Sequence, residues 1–585
     1  MARSRLLSGR AGLLSAVAVG ALVLTGTAAS PASVAGASTS SGGASAVTHT
    51  HAVSLGRSTP TAGPIPAAAA AHRRLPVLRP TAGSGSRTPS TRTGSAAPRA
   101  NSAGVAAPGL LHNFDGVNAL DNKAASGFDL EPPDQGLGAG NGYVVNFVNV
   151  TGQIQSTSGA LLVRPFYLNT FFHEAPQANT SDPRVFYDAG SRRWIATILV
   201  YSFDNNTNLV SGSHIDVAVS TGSDPRGAWR VFQFDAANPN HAGCPCLADY
   251  PILGVDRDNV YVSTNEFDKT LTQFNGAQLY AISKSQLVSG AANPKIVLYQ
   301  NLSVDGTLGY HVQPANTYGS APAEYLMSSL DPNNTFDNRL AVWALTNTAA
   351  VGSGGTPVLS VQVISSEAYS APPNAQTPPG MCTGSLCGTS GAPTTGVVST
   401  DFDAMQEVQY INGVLVGALN TAVNVPGDAG ARAGLAWFVV RPQVSGGTVS
   451  AMTRVVRQGY LAQQGEYLLY PHLNMAENGA MAMTFGFGGP GSYLSAAYAT
   501  APAGKGFGTI RLAAAGVAPD NGFTGTKKFG GVGRWGDYSN GQIIPGTNKV
   551  WLATQYIPNN GDGNANWGNR VFELTLSLDP PSGDR

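Results

Sequence analysis

Charged residues are scarce in this sequence, and patterns typical of helices are almost absent. Asp, Glu, Lys and Arg together make up 12% of the 585 residues, whereas glycine occurs 71 times and proline 38 times. This turn-rich composition has no G-x-y period, which excludes a collagen-like chain. We therefore expect a protein built mainly from short β-strands joined by turns.

Acidic residues are missing from the first 114 positions, which contain ten arginines. All 34 acidic residues but only 24 basic ones lie from Asp115 onward, so this part has a formal charge of −10. Nucleic-acid binding requires a basic surface, and a body of this sign is a poor candidate for it. A cation or a neutral polymer is the more suitable partner.

Several enzyme motifs are missing as well. The sequence contains no serine elbow G-x-S-x-G with a plausible order of partners, no H-E-x-x-H, no P-loop and no dinucleotide-binding fingerprint. Each of these motifs places a nucleophile, a metal or a phosphate in a defined backbone context. Their absence argues against hydrolase chemistry of those kinds.

The N-terminus has the three parts of a secretory signal peptide within residues 1–29. Three arginines precede the apolar run 11–24, and small residues follow it as a cleavage site. The run is too short to favour a membrane span. We predict a secreted, extracellular protein without a membrane span.

Residues 30–107 consist mainly of Ala, Ser, Thr, Pro and Gly with scattered Arg. Such a segment cannot bury enough apolar surface to offset the entropy of ordering the chain. We predict a disordered basic linker.

The four cysteines form two close pairs, Cys244/Cys246 and Cys382/Cys387. In an exported protein the default state of such pairs is the disulfide. A bridge between Cys382 and Cys387 closes a small loop easily, whereas a bridge across Cys244-Pro-Cys246 would be strained. Three connectivities are possible, and a zinc site is the alternative.

Seven stretches share one order: a polar opener, a short strand, a turn and an apolar strand. The openers are Asp134, Asp182, Asp249, His311, Asp403, His472 and Asp537. Most intervals are 62–69 residues, enough for four strands with their loops, and the longest contains a Pro/Gly/Ser-rich insert at 371–395. We predict an all-β fold, a seven-bladed β-propeller over 112–580, in which radial repetition hides the strand edges.

Six or eight blades would follow if one unit were merged or split. A two-sheet sandwich offers no reason for seven similar openers, and the coils of a right-handed β-helix are much shorter than these units. The stretch 182–194 is the clearest of the seven. Its composition predicts a hairpin with a turn at Asp188, with Asp182 at the channel mouth and Tyr187 and Trp194 between blades.

Four motifs resemble a family of secreted bacterial β-propeller proteins related in architecture to sialidases. They are PPD before a Gly-rich hairpin (132–142), DPR…YD…RW (182–194), DYP-x-LGVD (249–256) and WGDYS (535–539). The stretch 218–229 is similar to a relaxed Asp-box turn of sialidases. No three-arginine clamp for a carboxylate can be identified, so the resemblance implies the propeller architecture rather than sialidase activity.

The openers are expected to gather at one mouth of the central channel. Crowded carboxylates are tolerated when a cation lies among them, when one keeps its proton, or when backbone N–H groups bind them. Asp182, Asp249 and Asp537 are the candidate catalytic carboxylates of a glycosidase. The candidate ligand-binding residues are Glu131, Asp134, Arg184, Tyr250, His311, His472, Arg534 and Tyr538.

Three interpretations of this mouth stay open: capping of strand starts by the aspartates, Ca²⁺ binding in the channel, and acid–base catalysis. Neighbouring aromatic residues, Tyr318 among them, could form a sugar-stacking rim or pack blade against blade, and packing is favoured. Near the C-terminus, Asp562, Asn564 and Asn566 alternate and Glu573 follows, which makes a weak EF-hand-like metal site.

The leading functional prediction is an extracellular binding or scaffold module for carbohydrate or another cell-surface ligand at the acidic mouth. The alternative is a glycoside-hydrolase-like enzyme that uses paired channel carboxylates. No cofactor is required, and Ca²⁺ is possible. We expect a monomer, because a closed ring needs no partner subunit.

Overall fold

The computed structural model describes residues 42–63, 109–331, 335–388, 391–558 and 560–576. Nearly all regular structure in these residues is β-strand. The helices are short: Ala119–Ser126, Leu168–Phe171, Lys284–Ser289, Ala350–Ser353 and the 3₁₀ turns Phe523–Gly525 and Lys527–Phe529. No helix in this part of the chain is long and apolar enough to cross a membrane.

In the described residues, most strands pair into seven antiparallel meanders of four strands, numbered here in the order of their first strands. Meanders 1–3 comprise Gln135–Gly140, Tyr143–Val148, Thr151–Ser156 and Leu161–Tyr167; Asn179–Asp188, Arg193–Phe203, Val210–Ser220 and Trp229–Asp235; Leu247–Val255, Asn259–Phe267, Phe274–Ser283 and Lys295–Val304. Meanders 4 and 5 comprise Gln313–Tyr318, Glu324–Ser329, Asp337–Thr346 and Val358–Tyr369; Val408–Ile411, Val414–Val423, Arg432–Arg441 and Arg454–Leu461. Meanders 6 and 7 comprise Tyr467–Met475, Met481–Gly489, Ser492–Ala501 and Arg511–Ala514; Asn540–Ile544, Lys549–Tyr556, Gly568–Thr575 and Leu110–Asn118.

The meanders form a closed ring around a central channel. Each first strand contacts the first strand of the next meander, and that of meander 7 contacts that of meander 1. Between meanders 3, 4 and 5 this contact includes parallel pairing, as between Val255 and Asn316. The hydrophobic clusters lie largely between neighbouring meanders, so the core is shared around the ring. This arrangement is a β-propeller.

The hairpin predicted within 182–194 is present, with strands Asn179–Asp188 and Arg193–Phe203 paired across the Asp188 turn. Tyr187 and Trp194 are buried with their rings 4.8 Å apart, in a cluster shared with meander 1. This confirms their predicted position between blades.

Meander 7 takes its fourth strand from the beginning of the ring sequence. Leu110–Asn118 pairs antiparallel with Gly568–Thr575, for example Phe114 with Val571. The strand ends at Asn118, which caps Ala119–Ser126 in a reciprocal capping box with Asp121. This pairing joins the two ends of the ring.

Part of the predicted linker is ordered, which corrects the expectation of disorder for 42–58. Ala46–His51 pairs with the outer strand of meander 3, Val53–Ser58 pairs with that of meander 2, and Gly42–Gly43 adds a short third pairing. Ala52, between the two longer strands, is fully buried. The physical reason is that an outer strand has unpaired N–H and C=O groups, which an extended segment can satisfy whatever its hydrophobicity. Apart from residues 59–63, the rest of the linker and the signal peptide lie outside the described residues.

The insert 371–395 packs against a second irregular segment, and we call 371–398 with 517–533 the cap. It contains the short pairs Ala375–Gln376 with Val397–Val398 and Met381–Cys382 with Ala392–Pro393. Isolated bridges join its two parts, as between Thr394 and Thr526. Both cysteine pairs form disulfides, Cys244–Cys246 and Cys382–Cys387, the second buried against Phe523 of the cap.

Candidate functional site

The first strands have an unusual backbone conformation where they enter the channel. One residue within or before each of five first strands has a positive φ: Asp182 (53°), Tyr250 (57°), His311 (45°), Asp401 (55°) and Tyr470 (51°). Side chains other than glycine rarely adopt this region. In three meanders the strand pairing shifts register at this point, as expected of a β-bulge that redirects side chains. We call this end of the channel the opener mouth.

Asp182, Asp249 and Asp537, predicted to converge, do so at the opener mouth together with Asp134. Burial, and then the charges of Asp249 and Asp537, raise the pKa of Asp182 to about 7. Burial and the charge of Asp537 raise the pKa of Asp249 to about 7 as well. Two carboxyls of this cluster can therefore hold protons near neutral pH.

Two arginines lie within the cluster. The Arg184 guanidinium stacks 3.3 Å from the centre of the Tyr538 ring and donates to the carbonyl oxygen of Pro251 at 3.3 Å. Arg534 Nη2 pairs with Asp537 Oδ2 at 2.7 Å. These cations offset part of the acidic charge of the cluster.

Two predicted ligand-binding acids serve instead to join distant parts of the chain. Asp134 Oδ1 accepts a hydrogen bond from the Asp537 backbone N–H at 2.7 Å. Glu131 Oε2 accepts from the backbone N–H and the hydroxyl of Thr524 in the cap, at 3.0 and 2.7 Å. Both side chains are buried. Here the capping interpretation describes the geometry better than ligand binding.

The histidines of the opener mouth are buried and neutral. His311 stacks on Tyr250 with ring centres 4.2 Å apart, and burial followed by Arg184 lowers its pKa to about 3. His472 lies 3.1 Å from Asn474 Oδ1, and burial lowers its pKa to about 3. Tyr538 donates to Asp182 Oδ1 at 3.2 Å. These residues pack the channel and orient its charges.

Asp403 is not part of this cluster, which corrects the sequence prediction. Burial and the neighbouring Asp331 raise its pKa to about 9. The residue that occupies the left-handed opener position in meander 5 is Asp401, two residues earlier. The reason is that the insert precedes Val408–Ile411 and determines how the chain enters that strand. The spacing of the repeats therefore does not predict which residue takes the opener position.

Glu407 belongs to the channel and was missed by the sequence reasoning. It accepts hydrogen bonds from Asn316 (2.6 Å) and Asn540 (2.9 Å), which come from the first strands of meanders 4 and 7. Burial raises its pKa to about 7. The only sequence signal was a charged residue immediately before an apolar strand.

The weak metal site at the C-terminal loop is not assembled as a single set of ligands. Asp562 pairs with the Lys123 ammonium, and the Asn564 side-chain oxygen accepts from a backbone N–H of the cap. Asn566 donates to a cap carbonyl, while Glu573 lies on Gly568–Thr575 facing a lysine at 3.6 Å. Calcium binding in this loop stays a prediction without geometric support.

A cavity of about 480 Å³ lies at the opposite end of the first strands. Asp182 lies at the start and Asp188 at the end of the channel-facing part of one strand. From the rise per residue of a strand, the cavity beside Asp188 is about 20 Å from the opener mouth. We call it the far-mouth cavity. Its lining includes Tyr187, Asp188, Ser191, Lys284, Thr317, Tyr318 and Ser320.

The far-mouth cavity is also lined by Asp256, Arg257 and Asp258, and its buried cation, Lys284, is paired within the protein. Lys284 Nζ lies 2.8 Å from Asp188 Oδ2 and also donates to the Asp256 carbonyl oxygen, so it ties meander 3 to meander 2. Asp188 accepts further hydrogen bonds from Gly190 N–H (3.1 Å) and the Ser191 hydroxyl (2.6 Å). The sequence predicted the Asp188 turn but not the cavity, because Lys284 reaches it from another meander.

Comparisons with known proteins identify structural neighbours only. No family model and no curated protein sequence matches the chain. Similar solved structures include a Trypanosoma rangeli sialidase in complex with sialic acid, with 11% identity and a TM-score of 0.34 over 75% of this chain and 60% of that one. A Cellvibrio cellulosa α-L-arabinanase has 9% identity and a TM-score of 0.26 over 65% and 96% of the chains. A Dyadobacter fermentans protein of unknown function has 13% identity and a TM-score of 0.31 over 68% and 95%.

The chain thus spans 60% of the sialidase it matches. Sialidases are among its structural neighbours, and the sequence motifs resemble proteins of that architecture. At these TM-scores the similarities carry no argument about ligand or activity, and the functional proposal depends on the geometry described above.

Proposed function

We propose that the protein is a secreted seven-bladed β-propeller that binds a neutral carbohydrate in the far-mouth cavity. The observation that carries the proposal is the composition of that cavity: the aromatic residue Tyr318 lines it together with the hydroxyl-bearing residues Ser191, Thr317 and Ser320. A sugar presents an apolar C–H face and a rim of hydroxyl groups, and this lining complements both. The volume is also within the range of small-ligand sites.

The pairing of Lys284 with Asp188 in the far-mouth cavity supports a neutral ligand. Lys284 is already satisfied by Asp188 and a carbonyl oxygen, so an anionic ligand would have to displace a buried ion pair. The opener mouth is less suitable for binding, because Glu131 and Asp134 are buried and hydrogen-bonded within the protein. The proposed ligand therefore binds at the opposite mouth from the one the sequence suggested.

Filling the cavity tests this proposal. We expect Ser320→Trp to reduce binding of neutral oligosaccharides at least tenfold, because Ser320 is an exposed residue of the lining. Binding is measured first on a glycan array and then by titration calorimetry with the best oligosaccharide. Ser445→Trp is the matched control, since Ser445 is exposed in the hairpin turn after Val444 on meander 5.

An unchanged affinity of Ser320→Trp, with a native thermal midpoint, would exclude the far-mouth cavity. Loss of binding in Asp182→Asn instead would return the ligand to the opener mouth.

A second function, glycoside hydrolysis, is favoured by one observation. Asp182 and Asp249 both have a pKa raised to about 7, so one can be protonated while the other is ionised, as an acid–base pair requires. A panel of reporter glycosides tests it. Turnover that is lost in Asp249→Asn but kept in Ser320→Trp would establish the enzyme, and no turnover on any member would favour the binding module.

A further inference from the structure

Three potential metal ligands converge between meanders 1 and 2, away from both channel mouths. His214 and Asp216 lie two residues apart on Val210–Ser220, so both side chains are on one face of that strand. Glu174 comes from the connector that follows Leu168–Phe171. Gln233 lies opposite Asp216 on the neighbouring strand. We call Glu174, His214 and Asp216 the His214 cluster.

The distances within the His214 cluster fit a shared ion. His214 Nε2 is 3.1 Å from Glu174 Oε1 and 3.8 Å from Asp216 Oδ1, and the three ligand atoms all lie within 4.8 Å of one another. Two atoms that each lie about 2.1 Å from one ion are at most about 4.2 Å apart. Both measured distances from the imidazole are below that limit, so small side-chain movements suffice.

Asp216 supplies the independent sign that a ligand is needed. Its side chain is fully buried, and its Oδ2 atom has no hydrogen-bond partner among the described residues. Its Oδ1 atom receives a long hydrogen bond of 3.4 Å from Gln233, and the neighbouring Glu174 carboxyl adds a second acidic group rather than a counter-charge. An ionised carboxylate in such a position is unfavourable unless a cation or a proton compensates it.

We propose that Glu174, His214 and Asp216 bind one divalent transition-metal ion, with Zn²⁺ preferred. An imidazole nitrogen with two carboxylate oxygens suits Zn²⁺ better than Ca²⁺ or Mg²⁺, which favour oxygen-only sets. The His214 side chain is 27% exposed and that of Glu174 is 13% exposed, so the ion can enter from solvent and keep a water ligand. The ion joins the connector of meander 1 to meander 2 and acts as a structural tie.

A second cluster, His241 with Cys244 and Glu266, is a weaker candidate and serves as the control. Cys244 is in a disulfide, so no thiolate is present. Glu266 already accepts hydrogen bonds from Asn238, His241 and Asn275. The carboxylate oxygens of Glu266 are therefore satisfied by protein groups, in contrast to Oδ2 of Asp216.

The experiment uses the untagged full-length chain after dialysis against a chelator. Zinc, manganese and calcium chlorides are titrated separately, and the bound metal is counted by elemental analysis after gel filtration. Thermal midpoints are recorded with and without each ion. The variants are Asp216→Asn, which keeps the shape of the side chain, His214→Gln at the partly exposed rim, and His241→Gln as the matched control.

We expect one Zn²⁺ per chain, a higher midpoint with Zn²⁺ than without it, and no comparable effect of Ca²⁺. Asp216→Asn and His214→Gln should each weaken Zn²⁺ binding at least tenfold, and His241→Gln should leave it unchanged. The proposal is overturned if the wild type binds no Zn²⁺ or if Asp216→Asn and His214→Gln both retain it. Loss in His241→Gln alone would also overturn it. If Asp216→Asn fails to fold, His214→Gln decides the question.

Discussion

Asp182 shows how a residue can be placed by the backbone and then changed chemically by its neighbours. Its left-handed φ and the following Pro183 direct the carboxyl into the channel, where Asp249 and Asp537 lie near it. Arg184, two residues later on the same strand, lowers the pKa but does not cancel the effect of burial. The same short segment therefore supplies both an acid and part of its counter-charge.

This environment predicts a pH dependence of stability. A carboxyl whose folded pKa is raised from 3.8 to about 7 holds its proton more tightly in the folded state, so stability falls as pH rises from about 4 to 7. Such a shift corresponds to up to about 4 kcal/mol at pH 8. We expect Asp182→Asn to lose less stability than the wild type between pH 5 and pH 8, measured as the change in thermal midpoint.

Asp305→Asn is the control for this prediction, because Asp305 lies in a turn with φ 47°, which asparagine tolerates. Its pH profile should follow the wild type. Parallel profiles for Asp182→Asn and the wild type would show that Asp182 carries no such penalty.

At the scale of elements, the contact between meanders 1 and 2 depends on small residues. A Cβ atom at Gly140 would overlap the Tyr187 ring, and one at Gly138 would lie 3.1 Å from Trp194. These glycines allow the two buried aromatic rings to lie directly on the first strand of meander 1. Close packing of a flat strand on a ring leaves no room for an added methyl group.

We therefore expect Gly140→Ala to destabilise the protein by about 1–3 kcal/mol, the usual cost of overpacking. Gly491→Ala is the control, since a Cβ atom there meets nothing within 4 Å and its φ is not positive. Thermal midpoints measure both. If Tyr187→Leu restores the midpoint of Gly140→Ala, the clash is the cause; equal midpoints for the two glycine variants would contradict it.

Local elements could be predicted from the sequence, whereas their long-range partners could not. The hairpin at Asp188 and the meeting of Asp182, Asp249 and Asp537 follow from turn chemistry and from a repeated opener. The pairing of Leu110–Asn118 with Gly568–Thr575, and of 42–58 with the outer strands, joins segments hundreds of residues apart and has no local signal. The same reason explains why Glu407, Lys284 and the His214 cluster were missed.

At the scale of the whole molecule, the ring depends on one strand from its own beginning. Leu110–Asn118 completes meander 7, and Asp134 and Glu131 then fasten the following segment to Asp537 and Thr524. These contacts lie at the joint where the first and last parts of the ring meet. A propeller with an open joint would expose both a sheet edge and the core between meanders 7 and 1.

Two truncations distinguish the contribution of this joint from that of the added strands within 42–58. A chain starting at residue 120 lacks Leu110–Asn118, and we expect it to aggregate or to unfold at a much lower temperature. A chain starting at residue 109 keeps that strand and, of the described strands, loses only those within 42–58, so we expect a folded monomer with a modestly lower midpoint. Calorimetry and gel filtration measure both, and similar behaviour of the two chains would contradict the assigned role of the joint.

The docking of Ala46–His51 and Val53–Ser58 on meanders 3 and 2 has a consequence for proteolysis. Val53–Ser58 and Leu110–Asn118, which lie on either side of positions 64–108 in the sequence, are both paired with strands of the propeller. A single cleavage of the chain between Gly63 and Gly109 would therefore produce two fragments that stay assembled through these pairings and migrate together until they are denatured. The N-terminal fragment would then behave as a complementing peptide, and adding it in trans to the chain that starts at residue 109 should restore the wild-type midpoint.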